Sequence, residues 1–271
     1  MKKKNIILRT LTILIAATLI GTVLYVINGF KGNPLSAALA DRAIQAYVEE
    51  TYPELELELE KSHYNFKFNE YVARASSRTS VDTHFAIYYS DGKVQWDDYD
   101  SYVLGKYNTL TRLEKEYGEL VVPILSEIEG LENNDSNVQV EKWEDEKNND
   151  DIDIDMQFSR DLPIDMNIMI RADRIDPSIK RLTDILEKAH KALLDNECVF
   201  SSYGIFSEYE DKLIMIHGVK PSDIESGELE QRLLQAYQGR VHNEDGVAEN
   251  SKDRTEFEEG IRITLKEDKT D

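Results

Sequence analysis

An uncharged apolar segment of 21 residues, Thr10 to Phe30, constrains this chain more than any other feature. At 1.5 Å per residue, a helix of this length covers the roughly 30 Å hydrocarbon core of a bilayer. Four basic residues lie in the nine residues before this segment, whereas Lys31 is the one basic residue that follows it closely. The four are Lys2, Lys3, Lys4 and Arg9. The positive-inside rule then predicts a cytoplasmic N-terminus and an extracytoplasmic body.

Two alternatives to a retained anchor stay open at this point. Ala38-Leu39-Ala40 fits the small-x-small pattern of a signal-peptide cleavage site, so cleavage after Ala40 is one of them. However, the apolar segment exceeds the usual 7 to 15 residues of a signal peptide, and Asn33-Pro34 predicts the start of a helix that would contain Ala38. The other alternative is a buried core helix of a soluble protein. Segment length and the basic flank favour the anchor over both.

The charge of the body restricts its partners. The chain of 271 residues has a net charge of -21, and its first nine residues carry four basic and no acidic side chains, so the remainder carries -25. Lys and Arg contacts to phosphate supply most nucleic-acid affinity. Nucleic acid is therefore not an expected partner.

The pattern up to Leu131 predicts a first α+β domain over residues 32–131. A helix should run from Pro34 to about Thr51, followed by strands in which apolar residues alternate with polar ones. Asp91-Gly92 predicts a hairpin turn, and a helix over 109–128 should close the domain. The alternating positions are Leu55, Leu57, Leu59, Tyr64, Phe66 and Phe68, and further strands are expected at 71–75, 85–89 and 94–96.

A second α+β domain is predicted over residues 138–238, after the polar stretch 132–137. Asp176-Pro177 should open its main helix. Both domains are expected to hold an antiparallel sheet packed with helices. The expected strands of the second are 138–143, 152–158, 164–170, 199–206 and 213–219. Residues 239–271 are predicted to be an acidic mobile tail, with one added strand through Ile261, Ile263 and Leu265 as the alternative.

No catalytic, cofactor or metal site is predicted. The aspartates at 150, 151, 153 and 155 lack the glycine and glutamate positions of a calcium loop, and their alternation with Ile152 and Ile154 predicts a solvated strand face, with weak cation binding as the alternative. Cys198 should be a small buried thiol, and no disulfide is possible. The histidines, at 63, 84, 190, 217 and 242, show no metal-ligand spacing, and His190 is expected at the edge of the core.

Tyrosines concentrate around the predicted hairpin. Such residues anchor interfaces in many complexes, but half of the residues on a half-buried strand face a core in any case. Both interpretations stand for this cluster. Its members are Tyr88, Tyr89, Tyr99, Tyr102 and Tyr107.

The first 71 residues resemble the YfjL-like proteins, an uncharacterised group of membrane-anchored proteins from Gram-positive bacteria. The resemblance depends on Gly32-Asn33-Pro34, Tyr52-Pro53 and Tyr64-Asn65-Phe66, which follow the Lys-led apolar segment. It implies the same topology and a Gram-positive source, and it carries over no catalytic residue.

These observations favour a single-pass cell-membrane protein whose extracytoplasmic body is a non-enzymatic binding or protein-interaction module. A protein or cell-envelope component would be its partner. The alternatives are an extracytoplasmic hydrolase with a site assembled from sequence-distant residues, and a weak cation-binding acidic surface protein.

Overall fold

The structure is a computed structural model that describes residues 2–140, 151–172, 175–210, 212–244 and 260–267. The fold is α+β, as predicted, and begins with an apolar helix. The chain divides into two compact units, Met1–Asn108 and Thr109–Asp271, and each unit contains its own hydrophobic core.

Two helices open the first unit. Helix α1 spans Lys2–Lys31 and α2 spans Pro34–Thr51. The predicted start of α2 is confirmed, because the Asn33 side chain accepts a hydrogen bond from the Leu35 N–H at 2.8 Å and Pro34 occupies the first turn. Among the described residues, one helical stretch, beginning at Thr10, is long and apolar enough to cross a membrane, and its apolar window is wholly unburied.

The first sheet packs one face against α2. Its strands pair antiparallel in the order β1-β3-β4-β5, and β2 also pairs with β3. The buried face carries Ala73, Phe85 and Ile87, which contact Ile44 and Val48 of α2 in one core. The strands are β1 (Leu57–Leu59), β2 (His63–Asn65), β3 (Glu70–Ser77), β4 (His84–Ser90) and β5 (Lys93–Asp97).

The predicted hairpin between β4 and β5 is confirmed. Asp91 and Gly92 both adopt positive φ, at 51° and 83°, as a tight two-residue turn between right-twisted strands requires. Nothing lies within 4 Å of a Cβ placed on Gly92. A substitution there therefore meets backbone strain alone.

We expect Gly92→Ala to lower the free energy of unfolding by about 1 kcal/mol, because alanine tolerates the left-handed conformation poorly. Gly92→Asn is the matched control and should cost less, since asparagine adopts this conformation more readily. Denaturant unfolding of both variants measures the difference. An alanine variant as stable as the parent would contradict the turn geometry.

The expectation that Phe66 and Phe68 alternate into the core is wrong. Strand β2 ends at Asn65, and a turn brings the Phe68 N–H to the Asn65 carbonyl at 3.3 Å. Asn69 adopts a φ of 55° as the chain enters β3. Because the turn interrupts the alternation, Phe66 and Phe68 are 52% and 73% exposed.

The second unit contains helices on a five-stranded sheet. Helix α3 spans Tyr107–Ser126, and the sheet order is β10-β9-β8-β7-β6. The strands are β6 (Asn137–Val140), β7 (Met166–Arg171), β8 (Ser202–Tyr209), β9 (Lys212–Val219) and β10 (Arg262–Glu267). The remaining helices are α4 (Ile179–Asp195), α5 (Pro221–Glu225) and α6 (Leu229–Glu244).

Helix α3 belongs to the second core, although the sequence placed it at the end of a first domain of residues 32–131. Leu110, Leu113, Tyr117 and Val121 are fully buried among the apolar residues of the second sheet and α4. The division therefore falls between Asn108 and Thr109. The predicted helix is confirmed, but the apolar stripe of a helix does not identify the sheet that it covers.

The second sheet is mixed, so the expectation of an antiparallel sheet is wrong for this domain. Strands β7 and β8 pair in parallel, from Asn167↔Ser202 to Arg171↔Phe206, while the other pairs are antiparallel. Helix α4 lies between β7 and β8 in the chain and supplies the long crossover that parallel neighbours need.

The C-terminal segment adds a strand to this sheet, which confirms the alternative to a wholly mobile tail. Strand β10 pairs antiparallel with β9, and Ile263 is buried in the second core. Helix α6 also continues past residue 239, to Glu244. The rest of the expected tail, 245–259 and 268–271, lies outside the described residues.

Candidate functional site: an aromatic face on the first sheet

The acidic segment does not form the predicted strand. Residues 151–158 are turn and irregular structure: the Met156 N–H donates to the Asp153 carbonyl at 3.0 Å, and Asp155 has a φ of 62°. Ile152 is fully buried, whereas Ile154 is exposed. The alternation of this segment therefore reflects a turn anchored by Ile152. Asp150 lies outside the described residues.

Cys198 is a buried thiol, as predicted. Burial raises the pKa of the thiol, which opposes formation of the thiolate that a nucleophile needs. The neighbouring Tyr117 hydroxyl accepts a hydrogen bond from the Val199 N–H at 3.1 Å, and burial raises the pKa of Tyr117 to about 12. These groups fix the chain after α4 inside the core.

His190 is also buried, deeper than the core edge where it was expected. Its Nδ1 lies 2.8 Å from the Tyr203 hydroxyl, and its Nε2 lies 3.4 Å from a Glu225 carboxylate oxygen. Burial lowers the pKa of His84 and of His217, so both favour the neutral form. Within the described ranges, no three His, Cys, Asp or Glu side chains come together in a way that could hold a metal ion.

The tyrosine cluster divides between the two faces of the first sheet. Tyr89 is buried in the core on the α2 side, and Tyr99 packs against Phe85 there with ring centroids 5.2 Å apart. Tyr88 lies on the other face of the sheet. Both interpretations of the cluster therefore apply, each to different members.

Tyr88 and Trp96 form a parallel stack across β4 and β5. Their ring centroids are 3.7 Å apart and their planes differ by 8°. The pairing register places His63, Val72, Tyr88 and Trp96 in one row across four strands. Trp96, on β5, is 51% exposed.

A second ring pair continues this surface. Tyr102 and Tyr107 have centroids 4.7 Å apart and are each 38% exposed. Tyr102 lies near Tyr88, because its N–H donates to the carbonyl of Asp98 at 2.8 Å and the side chain of Asp98 accepts from the Tyr88 hydroxyl. We call the surface formed by Tyr88, Trp96, Tyr102 and Tyr107 the aromatic face.

Carboxylates fix the strand that carries Trp96. Asp97 Oδ2 accepts hydrogen bonds from the Tyr47 and Tyr52 hydroxyls at 2.7 and 2.8 Å, which ties α2 to the end of β5. Asp98 accepts from the Tyr88 hydroxyl at 3.0 Å. Burial and this hydrogen bond raise the pKa of Tyr88 to about 12, so its hydroxyl stays neutral at physiological pH. The Tyr88 ring and the end of the strand that carries Trp96 are therefore held in place.

Sequence reasoning identified the tyrosines of this face but missed Trp96 as its centre. At regular strand spacing Trp96 would share the face of Val94, which packs against the first core. A β-bulge between Tyr88 and Tyr89 shifts the pairing with β5, and a bulge cannot be located from alternation alone.

The second unit contains an open groove between α3 and β6. Its cavity volume is about 630 Å³. Glu114 lies in its wall and accepts a hydrogen bond from the Val140 N–H at 2.7 Å, and burial raises the pKa of this carboxyl. The described lining contains no histidine, cysteine or aspartate. Its half-buried carboxylate, Glu114, already has a structural partner, and Glu119 is exposed.

Comparison with known proteins identifies the family of both units. The YfjL-like N-terminal domain matches residues 7–98, and the YfjL-like C-terminal domain matches residues 116–234. The chain belongs to the YfjL-like family. The interval between the two YfjL-like matches includes the division at Asn108.

The chain is also similar to the "Uncharacterized protein YfjL" of Bacillus subtilis (strain 168). It is 36% identical over 66 residues, which cover 24% of this chain and 29% of the relative. The alignment thus spans less than a third of the Bacillus protein. No solved structure matches the chain.

Proposed function

We propose that this protein is a single-pass membrane protein whose body lies outside the cell and binds a protein or envelope partner through the aromatic face, without catalysis. The apolar helix α1, with basic residues before it, supports the anchor and its direction. The observation that carries the binding function is the Tyr88–Trp96 stack, with Trp96 half exposed on an edge strand.

An exposed, rigid aromatic pair suits recognition. Trp and Tyr supply large contact areas and are enriched among the residues that dominate binding energy. The Tyr88 hydroxyl is hydrogen-bonded to Asp98, and the Tyr88 ring is stacked on Trp96. The Tyr88 side chain therefore has little conformational entropy left to lose on binding.

Strand β5 also has an outer edge whose backbone N–H and C=O groups are available to pair with a partner strand. It ends the order β1-β3-β4-β5, and no strand of the described residues pairs with its outer edge. An extended segment of a partner could add there and place apolar side chains on the aromatic face. The net charge of -25 on the chain after its first nine residues favours a partner surface that carries basic residues.

A photocrosslinking amino acid at position 96 of the full-length protein, in a Gram-positive host, tests this function. We expect a reproducible crosslinked partner from position 96. The matched control is position 81, because Val81 is also exposed, at 64%, in the loop between β3 and β4.

The yield of crosslinking should also depend on the side chains of the aromatic face. With the crosslinker at position 102, Tyr88→Ala is expected to reduce the yield by roughly tenfold, the usual effect of losing an aromatic anchor. Equal crosslinking from positions 96 and 81, or none from either under several growth conditions, would count against the proposed function.

A further inference from the structure

The turn between β2 and β3 lies beside the end of the apolar helix. The rings of Phe30, at the end of the uncharged segment, and Phe66, in the turn, have centroids 5.6 Å apart. Phe66 therefore lies at the depth of the last residues of α1. If α1 crosses a bilayer up to Phe30, the turn lies at the bilayer surface.

The side chains in this region are apolar and exposed. Phe30 is 63% exposed and Leu35, in the first turn of α2, is 70% exposed, while Phe68 at 73% is the most exposed phenylalanine of the described residues. We call Phe30, Leu35, Phe66 and Phe68 the juxtamembrane patch. Contiguous exposed apolar residues mark interaction surfaces, membranes among them.

Charge around the patch suits a lipid headgroup layer. Lys31 follows Phe30, and Lys67 lies between the two phenylalanines of the turn. Lysines at this depth extend their ammonium groups to lipid phosphates while their alkyl stems lie on apolar surface. Two acidic residues lie at the same end of the sheet, Glu70 and Asp91, and Glu70 is hydrogen-bonded to Asn65 at 3.3 Å.

The joint between α1 and the sheet is tightly packed. The Asn33 N–H donates to the Tyr71 hydroxyl at 2.7 Å, and that hydroxyl donates to the Asn33 carbonyl at 3.0 Å. Tyr64 packs on Tyr71 with centroids 5.1 Å apart. Gly32 has a φ of 74°, and a Cβ placed there would lie 2.7 Å from the Tyr64 Cβ and Cγ and 2.7 Å from the Tyr71 hydroxyl oxygen. These contacts hold the turn against the end of α1.

We propose that the turn 66–69 is a second membrane contact, in which Phe66 and Phe68 insert into the headgroup and acyl boundary while Lys31 and Lys67 meet anionic headgroups. This inference rests on the proposed anchor. The occupant of the juxtamembrane patch is the bilayer into which α1 inserts. The first domain would then contact the membrane through both α1 and the turn 66–69. Two contacts would fix the orientation of the first sheet relative to the bilayer.

Environment-sensitive fluorophores on single cysteines test the contact. The full-length protein carries Cys198→Ala, so that one introduced cysteine takes the label, and is reconstituted into vesicles of phosphatidylethanolamine and phosphatidylglycerol. The three labelled variants are Leu19→Cys in the apolar segment, Phe68→Cys in the turn, and Val81→Cys at the opposite end of β3. Lipids with a quencher near the headgroup or deep in the acyl chain report depth.

We expect the label at position 68 to be quenched by the headgroup-proximal lipid several-fold more than the label at position 81, as for a side chain inserted roughly 5 to 10 Å into the interface. Position 19 should respond to the deep quencher. Deep quenching at 19 without quenching at 68 would overturn the second contact and leave the anchor intact. Absence of quenching at position 19 would contradict the proposed anchor and therefore also the second membrane contact, which rests on it.

A second copy of the chain is the competing occupant. It would shift the emission at position 68 to shorter wavelength without any quenching by the lipid probes, and that result would overturn the membrane contact. Phe66→Ser in the Phe68→Cys variant should reduce headgroup quenching at 68, because it removes the inserted ring that this variant still has.

Discussion

Replacing Leu19 and Ile20 together by arginine is expected to release the protein from the membrane. Both positions lie in the middle of the uncharged segment and are exposed. Each arginine at the centre of a transmembrane helix costs about 2.5 to 3.5 kcal/mol on insertion scales, so the pair costs roughly 5 to 7 kcal/mol. A penalty of this size exceeds the margin by which most single helices insert.

Carbonate-washed membranes measure this effect. The double arginine variant should leave the membrane fraction, while the control Leu19→Val with Ile20→Val should remain, since it keeps the segment apolar. Protease added to intact cells should digest a C-terminal tag on the control. Retention of the arginine variant in washed membranes, or protection of the tag, would refute the proposed anchor or its direction.

The second large effect is expected at the joint after α1. Gly32→Ala should lower the free energy of unfolding of the first domain by about 2 to 5 kcal/mol, because alanine is strained at a φ of 74° and its Cβ would overlap Tyr64 and Tyr71. The Tyr71 hydroxyl would have to move, and its two hydrogen bonds to Asn33 would weaken.

Gly29→Ala provides the matched control three residues earlier. Gly29 lies inside α1 with nothing within 4 Å of a Cβ, so alanine there should change stability by no more than about 1 kcal/mol. Denaturant unfolding of the full-length protein, followed by Trp96 fluorescence in a Trp143→Phe background, measures both. Equal stability of the two variants would show that Gly32 is not constrained as the structure describes.

Local signals predicted the elements that depend on local chemistry. Asn33-Pro34 identified the start of α2 because the cap is formed by adjacent residues, and Asp91-Gly92 identified the hairpin because two positive φ values are needed there. The buried thiol of Cys198 also followed from its apolar surroundings.

Features that depend on distant residues could not be predicted in the same way. The alternation of Phe66 and Phe68 resembles that of a strand, but β2 ends at Asn65 and a turn follows, which places the Phe66 ring 5.6 Å from that of Phe30. The alternation around Ile152 belongs to a turn, and the parallel pairing of β7 with β8 depends on where α4 returns the chain. The aromatic face was predicted in part, because its tyrosines cluster in sequence, whereas the Trp96 stack depends on strand register.

The placement of α3 has a practical consequence for dissecting the protein. A fragment beginning at residue 132, where the sequence alone would cut, lacks Leu110, Leu113, Tyr117 and Val121, all of which are fully buried. Such a fragment would present the uncovered sheet to solvent and aggregate. Recombinant versions of the C-terminal half should therefore start no later than Tyr107, where α3 begins.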